Sequence, residues 1–184
     1  MRPFMPLRSV LLTAALAAFC CAPARAEEPP LAVNHVAATD NLHTAGQPSA
    51  AMLGTLGERG FDLVVNLAPP TSRDAVAEEG KLVAEHGATY VNIPVAWENP
   101  TYADFELFSA VMNGAADRKV LVHCQMNMRA SVFAFLYRVV HERVAPAEAF
   151  AAVQSVWIPR DQWAAFAKMV LEKNAIDFAL PAAK

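Results

Sequence analysis

The 184-residue sequence is poor in cysteine: it has three, and two of them, Cys20 and Cys21, lie in a leader-like N-terminal stretch. It has no block of basic residues, which argues against a nucleic-acid binder or a protein held on an anionic membrane surface. It has no apolar run of the ~20 residues a membrane-spanning helix needs; the uncharged run from Val10 to Cys21 is too short. Internal repeats and low-complexity tracts are missing. His35, His43, His86 and His141 lack metal-ligand spacing, so no metal or other cofactor is expected. What remains is 55% hydrophobic and 18% charged, a globular composition.

Arg2 and Arg8 precede the apolar run, and Ala24-Arg25-Ala26 supplies a small-x-small cleavage pattern. Residues 1–26 therefore read as a signal peptide cut before Glu27. Phe19 before Cys20 is a poor fit to the small residue a lipid-anchor site requires. The expected location is periplasmic or secreted, free of the membrane after cleavage. The expected organisation is a tether over 27–34 around Pro29-Pro30, one domain over 35–178 and a tail over 179–184. Without the leader, which carries three arginines and no acid, 158 residues remain with 12 basic and 18 acidic side chains, a net charge of −6. Cys124 is then the lone cysteine, unable to form an internal disulfide; it is a buried apolar filler or a reactive group.

From His35 onward, strand-like and helix-like segments alternate. Asn41–Ser49 suggests a strand, a glycine turn and Ser49 as helix N-cap for 50–59. Phe61–Leu67, Thr89–Val95 and Lys119–His123 read as strands. Helices are expected from Ser72 or Asp74 to about His86, over 102–116, over 130–143, and from Pro146 and Asp161 onward. The helix from Ala130 is apolar nearly all round, so it should be buried on more than one side. The expected fold is α/β, with a largely parallel central sheet of about four or five strands flanked by helices in three layers.

The informative segment is Val120-Leu121-Val122-His123-Cys124-Gln125-Met126-Asn127-Met128-Arg129-Ala130-Ser131. An apolar strand ends at a cysteine, a short loop follows, and an arginine opens a buried helix. The unpaired N–H groups of loop and first helical turn converge on an anion site, reinforced by the helix dipole. Arg129 adds a planar fork that grips two oxygens of a tetrahedral anion. The same field favours a thiolate at Cys124, a nucleophile aimed at a bound phosphorus or sulfur atom.

This segment resembles the signature loop of the cysteine-dependent protein phosphatases, especially the small dual-specificity-like branch. The order Ala45-Gly46-Gln47-Pro48-Ser49, apolar strand, Tyr90-Val91-Asn92-Ile93-Pro94-Val95, then His123-Cys124 and Arg129 is similar to bacterial phosphatase-like proteins. The resemblance implies a metal-free hydrolase acting on phosphate monoesters, with a phosphorylated small molecule or phosphoprotein as substrate. It implies Cys124 as the nucleophile forming a phosphocysteine, and Arg129 on the phosphoryl oxygens. His123 would brace the loop, and the backbone of Gln125, Met126, Asn127 and Met128 would complete the cradle.

The sequence departs from that pattern. Four residues separate Cys124 from Arg129 where the family has five, a length similar to rhodanese-type sulfurtransferases. A persulfide carrier on Cys124 is therefore an alternative, and a non-catalytic anion- or partner-binding module is another. The loop has no glycine, and Asn127 is the residue best able to take a left-handed conformation there. Ala130 stands where a thiolate-stabilising hydroxyl usually follows the arginine; Ser131 comes one residue later. The loop after Val95 offers Glu98 in place of the family's aspartate as general acid, whereas Asp104 reads as a first-turn helix acid. Trp97 is expected at the rim, Trp157 and Trp163 in the core.

Overall fold

The computed structural model describes residues 29–182; the expected leader and its cleavage point lie outside the described residues. Five strands, β1 (Val36–Ala37), β2 (Leu42–Ala45), β3 (Leu63–Asn66), β4 (Thr89–Asn92) and β5 (Val120–His123), form one sheet in the order β1-β2-β5-β3-β4. Only β1 runs antiparallel; β2, β5, β3 and β4 pair in parallel. Six helices cover it: α1 (Ala50–Leu53), α2 (Glu79–Glu85), α3 (Tyr102–Asn113), α4 (Met128–Val140), α5 (Pro146–Gln154) and α6 (Asp161–Lys173).

Alternation along the strands builds two cores. Leu63, Val65, Val120 and Val122 face the larger one, filled by α3 to α6. Val64, Leu121 and Ala45 face the smaller one with Leu53, Leu56, Phe61 and Val83. This is the expected three-layer α/β arrangement. Every side chain of α4 from Arg129 to Val140 is buried, because the helix lies between the sheet and its helical neighbours. Phe133 meets Phe105, Phe108, Trp163 and Phe166 at ring separations of 5.2–6.4 Å. Burying such a side chain contributes about 1.5–3 kcal/mol, and here it fixes α4 under the loop that precedes it.

Four local expectations change. The helix expected from Ser72 or Asp74 starts only at Glu79, since Asp74 and Glu78 take left-handed φ values of 69° and 53° and interrupt it. Helix α4 starts at Met128, two residues before the expected Ala130. The segment read as a tether is docked from Leu31, whose side chain is buried in the smaller core. At the other end Phe178 packs on Phe135 and Phe150, and Leu180, placed by sequence in the tail, also rests on the core.

At the edge of the sheet, His35 Nε2 and His43 Nδ1 stand 3.0 Å apart with stacked rings. Burial, then mutual proximity, lowers the pKa of His35; burial is also the largest cause for His43, which Lys119 and Arg59 lower further against the Asp40 carbonyl and carboxylate. Groups whose folded pKa lies below the unfolded value near 6.5 stabilise the fold above that pH, and this stability drains away as pH falls through it. The melting temperature is therefore expected to drop between pH 7.5 and 5.5. His43→Gln, which cannot titrate, should flatten that dependence in a thermal-shift series; an unchanged slope would contradict the assignment.

Candidate active site

Parallel pairing puts the C-terminal ends of three strands side by side: Ala45 and Asn66 each align with His123. Cys124 follows at the end of the central strand, the crevice where open α/β sheets place their ligands. It forms the floor of a cleft of about 250 Å³ lined by Trp97, Cys124, Gln125, Met126, Met128 and Arg129. Cys124 is 1% exposed and is a free thiol. A larger groove of about 510 Å³ between α6 and residues 176–180 holds none of these groups.

The loop is held from outside. Cys124 N–H donates to the Ala45 carbonyl (3.2 Å), and Gln47 N–H donates to the Gln125 carbonyl (3.1 Å). In a trans peptide the N–H that follows a carbonyl points the other way. Anchoring the Gln125 oxygen to Gln47 therefore turns the Met126 N–H away from that strand edge. Asn127 adopts the left-handed backbone its sequence position suggested, φ 64° and ψ 0°. Its amide reaches Thr44 Oγ1 (3.0 Å) and the Asn34 carbonyl, so the side chain braces the loop and stays out of the cleft lining. The first N–H groups of α4 have no intrahelical acceptor, and the positive end of its dipole lies at Met128 and Arg129.

Arg129 is 8% exposed, and its Nε has no hydrogen-bond partner. Its guanidinium carbon lies 5.3 Å from the centre of the Trp97 ring, a cation–π contact. No ion pair joins it to a carboxylate among the described residues. A nearly buried, unpaired cation is costly; opening onto the cleft beside a helix N-terminus, it makes the site complementary to an anion. Trp97 is itself fixed: its carbonyl accepts from Trp163 Nε1 (3.0 Å) and Gln162 Nε2 (3.3 Å), and its ring packs on Trp157 and Trp163. Trp163 is a core residue, whereas Trp157 lies in the loop between α5 and α6.

Two expected site residues stand elsewhere. Glu98 is exposed and lines a neighbouring depression with Asn99, Pro100, Gln162, Ala165, Phe166 and Met169. Trp97 and Glu98 stand in a bend beyond β4, with Trp97 on the side facing Cys124 and Glu98 on the neighbouring depression. No carboxylate is among the described residues that line the cleft. Ser131 gives its hydroxyl to the Met128 carbonyl (3.2 Å) inside α4 and does not line the cleft. Asp104 is a helix cap: its Oδ2 accepts from Thr101 N–H (2.8 Å) and Thr101 Oγ1 (2.7 Å).

Beneath the loop lies a buried polar cluster that sequence reasoning missed. His123 is fully buried, with Nε2 3.0 Å from Glu79 Oε1 but off the line of a hydrogen bond. Glu79, buried at the start of α2, also accepts from Gln47 Nε2 (3.1 Å) and Asn66 Nδ2 (3.0 Å), with Tyr90 OH at 3.4 Å. Burial, with the Glu79 charge second, pushes the Tyr90 pKa up to about 12. The sequence offered no signal for it, since a helix expected from Ser72 or Asp74 places Glu79 in its interior. Among the described residues no group of three or more His, Cys, Asp or Glu side chains could hold a metal ion.

No protein-family model matches the chain, and no curated protein matches it by sequence. Solved structures do. A DUF442 protein from Shewanella putrefaciens CN-32, provisionally described as a phosphatase, is 35% identical over 77% of this chain and 93% of its own, with a TM-score of 0.70. The chain belongs to the DUF442 family. This DUF442 protein also shares its fold with kinase-associated phosphatase, solved with its catalytic-site cysteine replaced by serine (15% identity, 83% of this chain and 100% of that one, TM-score 0.65). PTPMT1 gives 15% identity over 77% and 96%, with a TM-score of 0.64. The DUF442 chain thus has a phosphatase-like fold.

Proposed function

We propose that this protein is an exported phosphatase that hydrolyses phosphate monoesters through the Cys124 thiolate. One observation carries the reading: a nearly buried arginine in the first turn of α4, with no carboxylate partner among the described residues, shares a cleft with the free cysteine of the preceding loop. The anion's oxygens lie against Arg129 and the open N–H groups of the helix. The thiolate forms a sulfur–phosphorus bond as the ester oxygen leaves with the bonding electron pair and takes a proton from water. A second water then hydrolyses the phosphocysteine, releasing inorganic phosphate and restoring the thiol. With no carboxylate in the cleft lining, the reading favours leaving groups that depart without a protein acid, such as phenolates.

The same feature supports a second reading, sulfur transfer, since attack on thiosulfate breaks its S–S bond, leaves a persulfide on Cys124 and releases sulfite with no acid required. The four-residue loop favours it too. Aryl-phosphate hydrolysis and thiosulfate sulfur transfer, measured side by side under reductant, separate the two. Arg129→Ala is expected to weaken oxyanion inhibition and raise KM by about 10²-fold; Arg129→Lys, which keeps charge but loses the planar fork, should restore only part of it. Absence of both activities together with no oxyanion binding would refute the reading.

A further inference from the structure

The chain before the first strand reaches the loop. Leu31 anchors in the smaller core, and Arg59 Nη2 donates to the Pro29 carbonyl (3.1 Å). Between that anchor and β1, Val33 accepts from Gly46 N–H (2.8 Å). Asn34, in left-handed conformation (φ 54°), donates its side-chain amide to the Met126 carbonyl (3.1 Å), while its own carbonyl accepts from the amide of Asn127. Asn34 thus clasps the loop at two successive residues, donating to Met126 and accepting from Asn127. There is no slack between the layers: a Cβ at Gly46 would stand 2.4 Å from Val33 Cγ1 and 2.9 Å from the Gln125 carbonyl oxygen.

We infer that Asn34 is a positioning residue for the anion-binding loop, an inference that rests on the proposed anion site. A carbonyl oxygen turned toward the cleft would repel a bound oxyanion. The Asn34 amide holds the Met126 oxygen outward, and the Asn34 carbonyl fixes the side chain of the residue whose left-handed backbone lets a glycine-free loop turn into α4. The hydrogen bonds of Asn34 run to Met126 and Asn127, so its effect runs through the shape of the loop.

The test measures protection of Cys124 from iodoacetamide by tungstate and by inorganic phosphate, with melting temperature alongside. Asn34→Gly, which deletes the donor but keeps the left-handed backbone and its carbonyl acceptor, should raise the protecting concentration about five-fold, the equivalent of one hydrogen bond, with only a small change in melting temperature. Asn127→Gly keeps the left-handed backbone and deletes the other half of the clasp; in the double variant the two losses should be less than additive. Asn34→Gly with unaltered protection, or losses that simply add, would overturn the inference. A parent protein that no oxyanion protects would instead sink the anion site, and this inference with it.

Discussion

Replacing Cys124 with serine is expected to lower turnover by more than about 10³-fold, whichever of the two chemistries operates, because a hydroxyl in that position is hardly ionised at neutral pH and no base lines the cleft to activate it. Binding should survive. Serine is close in size to cysteine, and the groups that meet the anion, Arg129 and the first turn of α4, are untouched. The variant should therefore take up tungstate or phosphate with near-parental affinity while giving no phosphocysteine, and no gain of one sulfur in mass after thiosulfate. Turnover that persists in Cys124→Ser would place the reaction on another group.

The second large effect is expected at a residue outside the cleft. Glu79→Ala removes the acceptor shared by Gln47 and Asn66 and the carboxylate beside His123, all in a buried setting. Breaking such a cluster from one side costs about 3 kcal/mol or more, which lowers Tm by roughly 6–12 °C for a domain of this size. Glu79→Gln keeps the shape and one accepting oxygen, so its loss should be smaller. The Tyr90 hydroxyl, relieved of its acidic neighbour, should ionise at lower pH in both variants, readable by ultraviolet titration. A melting temperature within 2 °C of the parent in Glu79→Ala would show that water replaces the carboxylate at little cost.

The strand–helix alternation and the all-round apolar α4 were legible because burial demands are written at fixed periods. The region around Cys124 was legible for a different reason: its chemistry sits in one contiguous stretch, and the positive φ of Asn127 follows from which residue types tolerate it. Glu98 misled because chain proximity to Trp97 says nothing about which way a side chain leaves a bend in the loop. Glu79, Gln47, Asn66 and Tyr90 were invisible as a cluster because four separate segments supply them, and only the parallel register of β3, β4 and β5 brings them under His123. Two left-handed residues, Asp74 and Glu78, delayed α2 where propensity alone favoured a longer helix.

The asparagine clasp joins positions 92 and 93 apart in sequence. Synthesis delivers Asn34 long before Met126 and Asn127, so this contact closes a long loop and is expected to form late in folding. Until it closes, the thiol has a sheet edge nearby but no finished enclosure. The interval between backbone collapse and closure is when Cys124 is most open to oxidants, and refolding yields should improve with reductant supplied during that interval.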